Sequence, residues 1–139
     1  ALDFSAVRAA ALDLLGQESK LLEIVRLVGM ESLSNHERLV LEVTRMIRED
    51  FLFQNAFDAV DAYTPLDRQY GMLKSIMTFF EAGKGVVGAE DFDFKTFNEM
   101  QSLSKVAGLK DEVEWKQEDF QKFQDQVRSE ITSLATASN

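Results

Sequence analysis

Hydrophobic residues recur every three to four positions over the first 50 residues, which is the spacing of one face of an α-helix. The pattern predicts a first helix over residues 3–28, ended by Gly29 because glycine readily adopts a positive φ. A second helix is predicted to start after Ser34, since Ser34 and Glu37 have the spacing of a capping box, and to run to Asp50. The short connection between them favours an antiparallel hairpin. The residues predicted to be buried are Val7, Ala11, Leu14, Leu15, Leu21, Leu22, Val25, Val28, Leu39, Val40, Val43, Met46 and Ile47.

The rest of the chain continues the helical pattern. Thr64 and Pro65 are typical of a cap and a first helical position, and Gly83 of a helix end, so a third helix is predicted between them. Its expected core-facing residues are Leu66, Tyr70, Leu73, Met77 and Phe80. After a loop over 84–92, a short helix containing Phe94, Phe97 and Met100 is predicted, with Asp91 or Asp93 as its cap and Gly108 as its end.

A last helix is predicted over 113–135, with its Gln-rich, charged residues facing water. The residues expected in the core are Phe120, Phe123, Val127, Ile131 and Leu134. Alternating β-branched segments are missing from the sequence, so we predict an all-α fold, a bundle of four to five helices. At 139 residues the chain is expected to form a single domain.

The connector over residues 48–65 departs from this regular pattern. It carries the large apolar residues Phe51, Leu52, Phe53 and Phe57, whereas connecting segments are usually polar and exposed. Such a connector is either packed against the bundle or presented to a ligand. Phe51 and Leu52 are expected to hold the helices together. The acidic residues in and beside it, Glu49, Asp50, Asp58 and Asp61, are interpreted as a solvated helix end and as turn-forming residues.

Composition and charge exclude several classes of function. Fifteen basic and 24 acidic residues give a net charge of −9, which disfavours a nucleic-acid partner because phosphate binding needs a basic surface. The sequence has no cysteine and therefore no thiolate chemistry. No apolar run approaches the roughly 18 residues of a membrane span, so direct membrane insertion is not expected.

Motifs for catalysis or metal binding are incomplete. Gly83 and Gly88 have the spacing of a phosphate-binding loop, but the lysine and hydroxyl residue that should follow are missing. The acidic residues Asp91 and Asp93 begin like a calcium loop without its glycine. The single histidine, His36, is expected to be exposed in the first turn of a helix. We therefore predict no catalytic residue and no metal site in this chain.

Three strings carry a resemblance to a known family. They are residues 21–34 (LLEIVRLVGMESLS), 47–57 (IREDFLFQNAF) and 60–65 (VDAYTP). The sequence resembles the C-terminal helical domain of the catalytic A subunit (alpha chain) of archaeal and vacuolar-type rotary ATPases. The resemblance covers residues 5–83 well, and the last third matches only in helical character. Phe53 and Thr64 depart from the residues common in the family.

The resemblance implies a nucleotide role for the connector. In this family the upstream domain holds ATP or ADP with Mg²⁺ in a ring that alternates with B subunits, and the C-terminal domain covers the adenine. Phe57 is the implied cover, with Gln54 and Ala56 beside it. Stacking on the base is worth about 1–3 kcal/mol and serves ATP and ADP alike. Alternatively, Phe57 fills the junction between two helices.

The resemblance also implies a contact with the central stalk. The turn Glu31, Ser32, Leu33 and Ser34 is similar to the acidic turn of the F-type beta subunit that pushes on the central shaft. An ordinary hairpin tip accounts for its glycine and capping box equally well. The implied location is the cytoplasmic ATPase head, peripheral to the membrane, and whether the coupled ion is a proton or sodium stays open.

Two hypotheses from different classes therefore remain. In the first, the chain is the C-terminal part of a longer subunit of an ATPase and is inactive alone. In the second, it is a free-standing helical adaptor that binds partner proteins. A reading frame of several hundred residues with an upstream phosphate-binding loop would support the first hypothesis.

Overall fold

The protein is all helical in the computed structural model, which describes residues 3–52 and 66–136, and these residues contain no β-strand. The α-helices are α1 (Phe4–Val28), α2 (Asn35–Met46), α3 (Leu66–Gly83), α4 (Phe94–Asn98), α5 (Gln101–Lys105) and α6 (Gln117–Thr136). A π-helical turn spans Ile47–Leu52, and 3₁₀ turns span Met30–Ser32 and Val106–Asp111. The predicted all-α bundle is confirmed.

Helices α1 and α2 form the predicted hairpin. Gly29 ends α1 with φ of 97°, a conformation that disfavours residues with a side chain. Ser34 accepts a hydrogen bond from the Glu37 amide at 3.1 Å, and the Glu37 carboxylate accepts one from the Ser34 amide at 2.9 Å. Both halves of the capping box are thus present and fix the start of α2. The predicted core-facing residues of α2 are all buried.

We expect Ser34→Ala to lower the free energy of unfolding by about 1 kcal/mol, because the Glu37 amide at the start of α2 loses its acceptor. The measurement is urea unfolding followed by circular dichroism. Ser19→Ala is the control, since Ser19 is exposed within α1 and the change there should be within about 0.5 kcal/mol. Equal destabilisation by the two substitutions would contradict the role of the capping box.

Helix α3 is the centre of the bundle and packs against α1, α2 and, most extensively, α6. Its buried hydrophobic residues are Met72, Leu73, Ile76, Met77 and Phe79. Of the predicted core-facing residues, Leu73 and Met77 are buried, Tyr70 and Phe80 are partly buried, and Leu66 is 66% exposed. The assignment of Leu66 to the core was wrong, and the buried face is wider than one stripe because three helices surround α3.

The interface between α3 and α6 combines close packing with a buried hydrogen bond. Gly71 lies directly against the ring of Phe120, which is fully buried. One turn further along α3, the Ser75 hydroxyl accepts a hydrogen bond from the side-chain amide of Gln124 at 3.2 Å. Gln124 was expected to face water, but it is buried with Ser75 as its partner. This polar pair accounts for a glutamine inside the bundle.

The segment between α3 and α6 contains more helices than predicted. Asp93 caps α4 by accepting a hydrogen bond from the Lys95 amide. Of the two caps predicted, Asp91 and Asp93, the second is therefore correct. Met100 lies after α4 and precedes a separate helix, α5. Gly108 lies inside the 3₁₀ turn that follows, and that turn is held to α3 by hydrogen bonds from Arg68 to the carbonyls of Leu109 and Lys110.

The last helix, α6, begins at Gln117 and not at residue 113 as predicted. Asp119 accepts a hydrogen bond from the Lys116 amide at 2.8 Å, which caps the helix at this position. Val113 is strongly exposed, and Trp115 packs on Phe120 from outside the helix, with ring centroids 5.3 Å apart. The predicted core residues of α6 are buried, with Leu134 partly so.

Candidate functional site

The helix leading into the connector changes its geometry where the connector begins. A single helix to Asp50 was predicted, but α2 ends at Met46 and continues as the π-helical turn. A π-helical turn accommodates an extra residue, and such turns are frequent at functional sites. Within this turn Ile47 and Phe51 are buried, whereas Leu52 is 44% exposed. Phe51 thus holds the helices together as expected, and the same expectation for Leu52 was wrong.

Ion pairs fix the outer side of the π-helical turn. Arg48 donates to the Glu18 carboxylate of α1 at 2.8 Å, and this hydrogen bond raises the pKa of the Arg48 guanidinium. Arg45 is held by Glu42 and, at 2.9 Å, by Glu49. Glu18 interrupts the apolar stripe of α1 in the sequence, and its pairing with Arg48 explains that interruption. The turn is therefore anchored to α1 as well as continuous with α2.

The acidic pair Glu49 and Asp50 is split between two environments. Glu49 is exposed and paired with Arg45, consistent with the predicted solvated helix end. Asp50 is half-buried, and burial raises the pKa of its carboxyl group. The description of Asp50 as solvated was therefore incomplete.

The predicted adenine-covering residues Phe57, Gln54 and Ala56 lie outside the described residues, as do Phe53, Asp58, Asp61, Thr64 and Pro65. The residues on either side of them are described. Leu52 and Leu66 both line one cleft of about 340 Å³ at the N-terminal end of α1. We call it the N-terminal cleft; its other lining residues among those described are Phe4, Arg8, Ala11, Leu12, Leu15, Ile47, Phe51, Gln69 and Leu73.

The predicted stalk-contacting residues lie at the opposite end of α1. Glu31 and Ser32 are exposed in the 3₁₀ turn, and the Ser32 hydroxyl donates to the Gly29 carbonyl at 2.7 Å. Ser34 is exposed, and its hydroxyl and backbone N–H form the capping box with Glu37. Leu33 is buried in the core, so its side chain anchors the turn to the bundle. The structure thus brings all four residues into one turn, with three of them at the surface.

An exposed apolar patch adjoins this turn. We call it the tip patch, and it consists of Ile24, Leu27, Val28 and Met30. The three α1 residues have i, i+3 and i+4 spacing and therefore share a face of the helix. Val28 was predicted in the core, as was Leu22 on another face, and both are exposed. Apolar periodicity alone does not distinguish a face covered within the chain from one left exposed.

His36 is exposed and packs edge-on to the Phe80 ring, 5.8 Å away. Among the residues described, no cluster of three or more histidine, aspartate or glutamate side chains is arranged to hold a metal ion. None of the helices described is long and apolar enough to cross a membrane.

Comparison with known proteins places the chain in a family. Residues 1–92 match the family described as the C-terminal domain of V and A type ATP synthase. The V-type ATP synthase alpha chain of Clostridioides difficile (strain 630) is 54% identical over 85 residues, which are 61% of this chain and 14% of that protein. The V-type ATP synthase alpha chain of Clostridium botulinum (strain Langeland) is 42% identical over 108 residues, which are 78% of this chain and 18% of that protein.

A third relative extends the similarity to nearly the whole chain. The V-type ATP synthase alpha chain of Thermoanaerobacter pseudethanolicus is 39% identical over 132 residues, or 95% of this chain and 22% of that protein. The chain thus spans about a seventh to a fifth of the length of these relatives. The family match includes the connector, the turn and the tip patch. The chain belongs to the family of C-terminal domains of V- and A-type ATP synthases.

Proposed function

We propose that the chain is the C-terminal domain of the catalytic subunit of an ion-translocating rotary ATP synthase or ATPase. The observation that carries this proposal is the family match over residues 1–92, which contains both candidate contact regions. In the parent protein the upstream domain holds ATP or ADP with Mg²⁺, and catalytic subunits alternate with B subunits in a ring peripheral to the membrane. The match does not favour the adaptor alternative.

The first role proposed for the domain is to cover the adenine of the bound nucleotide through Phe57, with Gln54 and Ala56 beside it. Support comes from the geometry on either side of these residues. The π-helical turn is anchored by Phe51 in the core and by Arg48 on Glu18, so the first part of the connector is fixed on the bundle. An aromatic ring presented from such a fixed segment can stack on a base without a large loss of conformational freedom.

The second proposed role is contact with the central stalk through the turn containing Glu31, Ser32, Leu33 and Ser34. Glu31 and Ser32 present polar groups, Leu33 and the Ser34 cap hold the turn rigid, and the tip patch offers apolar surface beside them. Exposed apolar surface of this kind is typical of an interface with another protein. Because the turn closes a packed hairpin, it can move with the domain as a rigid body.

The stalk contact is tested by cross-linking in the assembled complex. A photoactivatable cross-linker attached to Glu31→Cys in the full-length subunit should form a covalent product with a protein of the central stalk, identified by mass spectrometry. Val113→Cys is the control, because Val113 is exposed but lies outside both candidate regions. Products of Glu31→Cys with ring subunits only, or the same stalk product from both variants, would contradict the proposed contact.

A further inference from the structure

The two described flanks of the connector rest on the same short element. The 3₁₀ turn Val106–Asp111 packs against the π-helical turn Ile47–Leu52 and also against α3, which follows the connector. Val106 and Leu109 are buried in the core, so the 3₁₀ turn is itself fixed in the bundle. This turn lies beyond the family match over residues 1–92 and is a support that the match does not contain.

Arg68 links the 3₁₀ turn to the start of α3. Its guanidinium donates hydrogen bonds to the backbone carbonyls of Leu109 at 3.0 Å, Lys110 at 2.9 Å and Glu112. A guanidinium presents its N–H groups in a rigid planar fork, so three acceptors fix its position more narrowly than a single ion pair would. Because Arg68 is in the first turn of α3, which begins at Leu66, these hydrogen bonds hold the start of α3 on the 3₁₀ turn.

Further contacts join the same regions. The side-chain amide of Gln117, the first residue of α6, donates a hydrogen bond to the Asp67 carbonyl at the start of α3. On the π-helical side, burial raises the pKa of the Asp50 carboxyl group, and the positive charges of Arg45 and, more weakly, Lys110 oppose that rise. Both flanks of the connector are thus held by the segment that runs from the 3₁₀ turn to α6.

Fixing both ends of a segment reduces the conformations open to the residues between them, so less freedom is lost when one of those residues binds a ligand. We propose that Arg68 is a positioning residue for nucleotide binding: it holds the two flanks of the connector on the 3₁₀ turn, so that Phe57 is presented to the adenine. This role rests on the proposed adenine cover by Phe57. It gives a function to part of the chain beyond residues 1–92.

The role is tested with ATP and with tripolyphosphate, which lacks the base, by isothermal titration of the ring assembled from full-length subunits. Arg68→Ala should raise the Kd for ATP about three- to ten-fold and leave the Kd for tripolyphosphate unchanged. Arg68→Lys should cause a smaller rise, because an ammonium group lacks the planar fork. Arg128→Ala is the matched control, since Arg128 is exposed and pairs with Asp125 within α6 at 2.9 Å, and it should change neither Kd.

A double-mutant cycle with Phe57 separates positioning from a general loosening of the fold. In the Phe57→Ala background the ring is gone, so Arg68→Ala should raise the Kd for ATP by less than about two-fold further. An unchanged Kd for ATP in Arg68→Ala, an equal loss for ATP and tripolyphosphate, or full additivity with Phe57→Ala would each overturn the inference. Arg68→Lys and Gln117→Ala each keep part of the link, and the same criteria apply to them if Arg68→Ala does not assemble.

The adenine proposal and the role of Arg68 fail in different ways. If Phe57→Ala itself leaves the Kd for ATP unchanged, the adenine cover is wrong and the role of Arg68 is overturned with it. If Phe57→Ala weakens ATP binding and Arg68→Ala does not, only the role of Arg68 is overturned and the adenine proposal stands.

Discussion

Gly71→Ala should destabilise the protein by about 1–3 kcal/mol, although alanine is the better helix former. A Cβ atom at position 71 would lie 2.6 Å from Cγ of Phe120. Phe120 is a rigid aromatic ring, fully buried between α3 and α6, and it cannot move aside without opening the interface. The steric cost should therefore exceed the gain of about 1 kcal/mol that alanine brings to a helix interior.

Gly16→Ala provides a control of opposite sign. Gly16 lies inside α1, and a Cβ atom built there meets nothing within 4 Å. The substitution should raise the free energy of unfolding by up to about 1 kcal/mol, since only the helix propensity changes. Both variants are measured by urea denaturation of the 139-residue chain, where the midpoint should shift in opposite directions.

A double-mutant cycle attributes the cost at Gly71 to Phe120. Phe120→Ala alone should lower the stability by about 3–5 kcal/mol, as expected for a large core residue. In that background Gly71→Ala should cost less than in the wild type, because the ring that it meets is gone. Additive effects would mean that α3 and α6 do not pack as described. Since Phe120 lies beyond the family match, the cycle also tests whether residues 93–139 are an integral part of the bundle.

Local signals in the sequence predicted much of the fold. The limits of α1, the capping box at Ser34, the end of α3 at Gly83 and the Asp93 cap all depend on residues within a few positions of one another. Side-chain capping and the φ preferences of glycine act over this short range. These boundaries could therefore be predicted without knowledge of the tertiary structure.

Features that depend on distant neighbours were predicted less well. The wide buried face of α3 and the burial of Gln124 follow from how many helices surround each position. The exposure of Leu66 and Val28 has the opposite cause, since their faces have no partner within the described part of the chain. An apolar residue at helical spacing looks the same in sequence whether its partner is in the same chain or outside it.

Some parts of the candidate site could be predicted from the sequence, and other parts depend on contacts between distant residues. The connector was identified from the sequence by its unusual composition and by the family resemblance, and the turn was identified by the resemblance alone. The π-helical turn was not identified from the sequence. Neither were the pair of Arg48 with Glu18 and the N-terminal cleft, because both depend on contacts between α1 and residues 30 or more positions away. The tip patch was missed because Val28 fitted the pattern of a buried stripe and Ile24, Leu27 and Met30 were assigned no role.

The proposed adenine cover has the largest expected effect on function. Phe57→Ala in the full-length catalytic chain, assembled in its ring, should raise the Kd for ATP and for ADP by about 5- to 150-fold, given a stacking contribution of about 1–3 kcal/mol. Both nucleotides should be affected alike, because they share the base. The phosphate contacts and the Mg²⁺ ligands are proposed to lie in the upstream domain and should be unaffected by this substitution.

Two further variants separate stacking from space filling. Phe57→Tyr keeps an aromatic face and should retain nucleotide affinity within about two-fold. Phe57→Leu keeps apolar volume without an aromatic face, so it should weaken binding nearly as much as alanine does if the ring stacks on adenine. If Phe57 only fills the junction between helices, leucine should restore the wild-type affinity.

The adenine-covering role is tested most directly by comparing ATP with tripolyphosphate, which has the phosphates but no base, in isothermal titration of the assembled ring. If Phe57 covers the adenine, Phe57→Ala should raise the Kd for ATP by about five-fold or more and leave the Kd for tripolyphosphate unchanged. An unchanged Kd for ATP, or an equal loss of affinity for both ligands, would contradict an adenine-covering role for this domain.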